Sequence, residues 1–166
     1  LLDCIARNPK ICPYLDIPIQ HIDTDVLRAM RRRSTEDSIR AMLKKIDASA
    51  RRIVLRTTVI AGFPGESAAA AEKLCAFVAE GHFARLGAFA YSREEGTVAA
   101  SYSGQIRRSE KETRRDAVMR AQQPVSAAFC ASRIGQTEET LIERRLRDGL
   151  YEGRTRLEAP EIDGIV

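Results

Sequence analysis

One arginine in this 166-residue chain has no easy place to go. Arg56 lies inside the run Ile53–Ile60 (IVLRTTVI), with apolar and β-branched side chains on both sides. A guanidinium keeps its charge at all ordinary pH values, so burial there demands an anion. That anion is either a bound carboxylate or phosphate, or an internal partner such as Asp16 or Glu66. The same run leads into Gly62-Phe63-Pro64-Gly65-Glu66. Glycines there let backbone approach a ligand, and the first N–H groups of a following helix attract anions. The same turn also serves as a plain strand-to-helix connection. It is not a phosphate loop, because no Lys-Ser/Thr pair follows its second glycine. Gln20-His21 ends an earlier extended run, where His21 reads as a ligand, a base or a hydrogen-bonded structural residue. Tyr91-Ser92-Arg93-Glu94-Glu95-Gly96-Thr97 follows a third run, as a binding loop or an ordinary polar one.

These residues need elements to hold them, and the chain supplies three strand-then-helix units. Tyr14–Gln20 is the first extended run, and a helix capped by Asp23 or Thr24 carries Val26, Leu27 and Met30. A second helix, with Ser34 and Asp37 as its capping box, places Ile39, Met42, Leu43 and Ile46 on one face. Ile53–Ile60 is the second strand. Glu66 opens a helix to Glu80 with Leu74, Phe77 and Val78 inward, closed by Gly81. Arg85–Tyr91 is the third strand, followed by a loop to Gly104. Such alternation predicts a parallel sheet covered by helices, with ligands at the carboxyl ends of the strands. Gln20, Arg56, Gly62 and Tyr91 are then expected at or near one end of successive strands. No Ser-His-Asp set, zincin helix or carboxylate dyad competes for that place. Three units do not close a barrel, so they read as part of one.

From Ile106 the pattern changes to a long charged helix toward Arg133, with Val118, Val125 and Phe129 as its buried stripe and Pro124 as a kink or interruption. Beyond Gly135, Glu139–Glu143, Leu150–Thr155 and Ile162–Val166 alternate around Asp148-Gly149 and Asp163-Gly164, the chemistry of antiparallel hairpins. The expected division is residues 1–132 and 133–166.

Bulk properties narrow the function. Hydrophobic residues make up 44% and charged ones 30%, ordinary for one domain with an appendage. Residues 1–8 have none of the features of a secretory leader, and the chain reads as starting inside a fold. The net charge is +4, but from Ile134 to Val166 eight acids face five bases, leaving +7 for the first 133 residues. A basic body with an acidic tail argues against the tail gripping nucleic acid. Arg31-Arg32-Arg33 reads as a nucleic-acid patch or as a solvated helix end favoured by the dipole, and the second reading accounts for at least two of the three. Cys4, Cys12, Cys75 and Cys130 are too scattered for a zinc knuckle, a redox dithiol or a cluster loop, and read as thiols in a reducing cytoplasm.

Cys12–His21 (CPYLDIPIQH), Leu55–Glu66 (LRTTVIAGFPGE) and Leu86–Thr97 (LGAFAYSREEGT) closely resemble the second half of the radical-SAM domain of methylthiotransferases. Ile134–Gln136 and Gly153–Gly164 (GRTRLEAPEIDG) resemble the start of a TRAM domain. The APEIDG and SREEGT wording resembles the branch that modifies a ribosomal-protein aspartate (RimO-like) more than the tRNA-adenosine branch (MiaB-like). The resemblance implies an α/β fold: part of a TIM-like parallel radical-SAM barrel, a long helix, and a truncated antiparallel TRAM-like β-barrel. It implies S-adenosyl-L-methionine and two 4Fe-4S clusters in a full-length protein. One cluster reduces the cofactor to a 5′-deoxyadenosyl radical that takes hydrogen from the aspartate β-carbon, before sulfur insertion and methylation. It implies a cofactor half-site of Gln20, Arg56 as carboxylate partner, Ile60, Gly62, Glu66 and Tyr91, with His21 beside them. The family's CxxxCxxC loop does not occur in this sequence, so no metal ligand is expected in the chain. This polypeptide is expected to be inactive alone and to work joined to a missing N-terminal part of the same protein, on a ribosomal-protein substrate that its acidic tail would attract. The alternatives are a tRNA-modifying relative and a non-catalytic adaptor for ribosomal protein or RNA.

Overall fold

The computed structural model describes residues 1–166. Its elements run α1 (Leu2–Arg7), β1 (Tyr14–Asp16), α2 (Thr24–Ala29), α3 (Glu36–Asp47), β2 (Val54–Ala61), α4 (Ala68–Ala79) and β3 (Arg85–Ala90). A short 3-10 helix (Val98–Ser101), α5 (Arg108–Ala131), β4 (Thr140–Arg147) and β5 (Leu150–Thr155) follow. β1, β2 and β3 form a parallel sheet in sequence order, and β4 and β5 form an antiparallel hairpin. The chain is thus mixed α/β, as the alternating pattern predicts.

Side chains along a strand alternate faces, and β2 alternates in burial. Leu55, Thr57 and Val59 lie under the helices. Leu27 of α2, Ile39 and Leu43 of α3, Leu74 and Phe77 of α4, and Val118 of α5 close over Leu55 and Val59 in one apolar cluster. Each such buried side chain contributes about 1.5–3 kcal/mol. The other face of the sheet carries Arg56, Thr58 and Ile60, beside Arg85, Gly87 and Phe89 in register. Phe89 is 58% exposed there. A parallel sheet is ordinarily covered on both faces, and this chain leaves the second open around Phe89.

β1 stops at Asp16 instead of continuing to Gln20, because Pro18 has no N–H for the ladder. The Thr57 hydroxyl repairs the gap by donating to Ile17 O (2.8 Å) and accepting from Ile19 N–H (3.3 Å). The chain rejoins β2 at Gln20, whose N–H donates to Thr58 O and whose carbonyl accepts from Ile60 N–H.

Two helix starts differ from expectation. Thr35 caps α3 in a reciprocal box with Ser38, not Ser34 with Asp37. Ser67 caps α4, leaving Glu66 outside the helix and free for another role. α5 runs through Pro124 without a break, and its buried residues are Lys111, Val118 and Gln122, so of the expected apolar stripe only Val118 is fully buried. Val125 and Phe129 are only half-buried. Ile162–Val166 forms no strand, although Val166 and Gly153 exchange both backbone hydrogen bonds. Asp163 makes a turn in place of a hairpin, its carboxylate accepting from Ala159 N–H (2.9 Å).

Candidate functional site at the carboxyl ends of the strands

Gly62 leaves β2 at φ +76°, a conformation that costs glycine little and other residues much. A Cβ at Gly62 would lie 2.5 Å from Lys111 Cγ and 3.0 Å from Lys111 Cα, so α5 can approach only because glycine is there. Glu66 fixes the turn from below. Its Oε2 accepts from the Gly62 N–H (2.6 Å) and the Phe63 N–H (3.2 Å), and its Oε1 accepts from Arg114 Nη1 (3.1 Å). Burial pushes the Glu66 carboxyl up, and those donors oppose the rise.

His21 is fully buried next to this turn. Its Nδ1 accepts from Asp23 N–H (2.9 Å), which assigns the ring proton to Nε2. Nε2 points toward Glu66 Oε2 at 3.8 Å, beyond hydrogen-bond range, and has no partner. Burial lowers the imidazole from 6.5 to about 4, with Asp23 opposing and Lys73 reinforcing the shift. The contact with Glu66 is therefore that of a neutral ring, not an ion pair. Tyr91, just past β3, packs edge-on against Phe63 with ring centroids 5.1 Å apart, and its buried hydroxyl is likewise unpartnered. Lys111 donates to Tyr91 O (3.2 Å) and sits over the Tyr91 ring.

In front of the turn is a cavity of about 340 Å³ lined by Gln20, Ile60, Phe63, Met30, Tyr102 and Arg31 among others. Gln20 holds a left-handed backbone, φ +68°, at its edge. The structure thus gathers Gln20, His21, Ile60, Gly62, Glu66 and Tyr91 at one end of the sheet. Sequence reading missed Lys111, Arg114, Phe63 and Tyr102. Lys111 and Arg114 lie on a charged helix with nothing local to mark them; the i, i+7, i+11 buried series through Lys111, Val118 and Gln122 is hidden by its polar members.

Arg56 does not join this group. It is the third residue of β2, four residues before Ile60, or about 13 Å along a strand. Its Nη1 is 2.5 Å from Asp16 Oδ2, and its Nε is 4.0 Å from Asp163 Oδ1. The internal ion pair with Asp16 is the alternative the structure realises, and the expectation that Arg56 shares an end with Gln20 and Gly62 is corrected. Asp163 also accepts from Tyr14 Oη (2.7 Å). Beside it Glu158, buried, bonds Arg133, the Thr155 hydroxyl and Thr155 N–H, with Arg85 Nη2 at 3.4 Å. Burial pushes the Glu158 carboxyl up, but Thr155 and Arg133 outweigh it and hold it below the usual range. Two carboxylates of the acidic tail are thus spent at the amino end of the sheet, away from the cavity. A larger cleft of about 850 Å³ also lies there, between Ile46, Arg52, Ala79 and Phe129.

The four cysteines are free, and no group of three or more His, Cys, Asp or Glu side chains is gathered that could hold a metal ion. No helix is long and apolar enough to cross a membrane.

Comparison with known proteins agrees with the sequence resemblance. Residues 134–166 match the TRAM domain. Over 167 aligned residues the chain is 46% identical to the ribosomal protein uS12 methylthiotransferase RimO of Acetivibrio thermocellus, covering 100% of this chain and 37% of that protein. The proteins of the same name from Elusimicrobium minutum and Clostridioides difficile are 46% and 43% identical, with the same coverage of 100% and 37%. The chain therefore spans little more than a third of the length of the curated relatives it matches. Along its whole length, then, this chain is similar to the ribosomal protein uS12 methylthiotransferases, with a TRAM-domain segment at residues 134–166.

Proposed function

We propose that the chain is the carboxyl-terminal part of a radical-SAM methylthiotransferase that modifies an aspartate of a ribosomal protein, and that the cavity at the strand ends receives S-adenosylmethionine. The observation that carries this reading is the convergence of Gln20, Ile60 and Phe63 on one cavity behind a glycine turn that excludes any Cβ. The cavity's size suits a nucleoside. Its walls are largely apolar side chains and aromatic rings against which a flat base packs, and beside the same turn, outside that lining, two buried polar atoms, His21 Nε2 and Tyr91 Oη, have no partner.

The residues divide the work. Ile60 and Phe63 supply the wall, and the Gln20 backbone turns the edge of the sheet toward the ligand. Glu66 holds the Gly62 and Phe63 amides in place, and Lys111 and Tyr91 close the back. His21 stays neutral and adds no charge beside a cationic sulfonium. Arg56 has no part in this set. When bound and reduced, the cofactor supplies the radical chemistry. The cysteines of this chain do not fit a 4Fe-4S cluster, so the clusters, and turnover, belong to the longer protein, whose remaining residues would also close the barrel over the open face of Ile60 and Phe89.

Titrating S-adenosylmethionine into the isotopically labelled chain tests the site. Amide shifts are expected at Gln20, Ile60, Gly62 and Phe63. No perturbation, or perturbation centred on Arg56 and Asp16, overturns the assignment.

A further inference from the structure

Arg31, Arg32 and Arg33 follow α2, whose last turn already has Arg28 as its helix-end cation, paired with Asp25 at 2.6 Å. All three are exposed. Arg31 and Arg32 line the cavity described above, together with Phe63 and Tyr102, and no carboxylate lines it. Arg31 and Arg32 thus stand at a solvated helix end and also face the cavity.

The backbone supplies an independent observation. Arg31 stands at φ +58°, in the left-handed position that ends a helix and is usually given to glycine. The Arg32 N–H returns to Leu27 O, completing that helix stop. An arginine there is strained relative to glycine. Strain at such a position calls for a reason in its side chain. The Arg32 guanidinium is anchored on Pro18 O, whereas Arg31 and Arg33 have no carboxylate or carbonyl partner. Glu94 and Glu95 lie on the exposed loop after β3.

S-adenosylmethionine does not account for these cations, because its sulfonium and ammonium outnumber its carboxylate. We infer that Arg31, at the mouth of the cavity, and the exposed Arg33 two residues on bind the phosphate backbone of RNA. If the proposed function holds, the target is a basic ribosomal protein. A basic rim repels it when free and draws it in when RNA surrounds it. The substrate class is then a ribosomal protein already seated on RNA. The phosphate contact itself rests only on the arginines, and the ribonucleoprotein substrate rests also on the proposed function.

The test measures binding of a fluorescent single-stranded oligoribonucleotide to the 166-residue chain as potassium chloride is raised. The double variant Arg31→Asn with Arg33→Gln keeps a residue that tolerates the left-handed backbone and removes two charges. Arg31→Gly is a second variant that relieves the strain. Binding is expected to weaken about tenfold at low salt, and the slope of log affinity against log salt to fall by about 1 to 1.5, for the loss of two single-strand phosphate contacts. Arg31→Gly is expected to bind RNA less well while melting no lower. Competition by small-subunit particles containing uS12, but not by bulk transfer RNA at equal phosphate, assigns the RNA to the ribosome. The reverse preference overturns that source. An unchanged slope in the double variant overturns the phosphate contact. Loss of binding to free uS12 with RNA binding intact overturns it too, in favour of a protein-only contact. The adenosylmethionine shifts at Ile60 and Gly62 in both variants report separately on the nucleoside site: their absence in every form, with the RNA slope changed, sinks the proposed function and leaves the phosphate contact standing.

Discussion

The two ends of the parallel sheet are built on opposite principles. At the carboxyl end, β2 stops in a glycine turn, the buried histidine is neutral and a cavity stays open. At the amino end, Asp16, Arg56 and Arg85 stand side by side across the three strands, and Glu158 and Asp163 from the TRAM segment reach them. Charges at the amino end are matched to one another, which positions one segment against another. At the carboxyl end Glu66 is matched by Arg114, but Arg31 at the cavity has no carboxylate partner, which is what an anionic ligand requires. A charged residue in a strand thus says nothing by itself about function; the end of the strand it occupies decides.

The sharpest way to break this contrast is at Gly62. Gly62→Ala places a Cβ against Lys111 backbone at a left-handed φ, and should cost about 3 kcal/mol in denaturant unfolding. A loss below about 1 kcal/mol would mean that α5 does not press on the turn.

His21 gives an effect of similar size with a pH signature. Its folded value of about 4 lies below 6.5, so between them the unfolded chain takes up a proton that the fold refuses. The contribution is complete above pH 6.5 and is lost as pH falls toward 4, about 3 kcal/mol over the whole window. Thermal melts of His21→Gln should show a flatter profile in that window. An unchanged profile would place the ring in water.

Glu158→Ala should cost about 2 kcal/mol, because Arg133 keeps Glu138 as a partner while Arg85 and Thr155 lose theirs. Hydrogen exchange should speed up in β4 and β5 and remain slow at Val59. The Glu158 carboxyl is depressed in the fold, so its contribution holds above the ordinary carboxylate value of 4.5 and disappears as pH falls through its lower folded value.

Arg56→Ala is expected to have the smallest effect, about 1 kcal/mol, with the tail loosened and the adenosylmethionine shifts at Ile60 unchanged. Weakened nucleoside binding in this variant would erase the distinction between the two ends.

Much of the site is legible in the chain, because local rules place it. Gly62, Gln20 and Tyr91 follow strands, and strand ends in a parallel sheet share a side. Glu66 reads as a helix opener in the sequence, and in the fold it clamps its turn. A carboxylate three or four residues after two free N–H groups satisfies either role, and only the Ser67 cap decides between them. Arg56 was misplaced because a run of eight strand residues spans both ends of the sheet, and the sequence does not say which end an interior residue serves.

The sequence alone determined the alternation of strands and helices and the glycine turn, because these follow from periodicity and backbone freedom over short distances, and its motifs by themselves carry the resemblance to methylthiotransferases. Tertiary structure decided the partners of charge. Arg56 meets Asp163 across 107 residues, Arg85 meets Glu158 across 73, and Lys111 backs a turn 49 residues earlier. Coulomb attraction and desolvation act through space, so which charges are sealed and which stay open is settled only when distant segments meet.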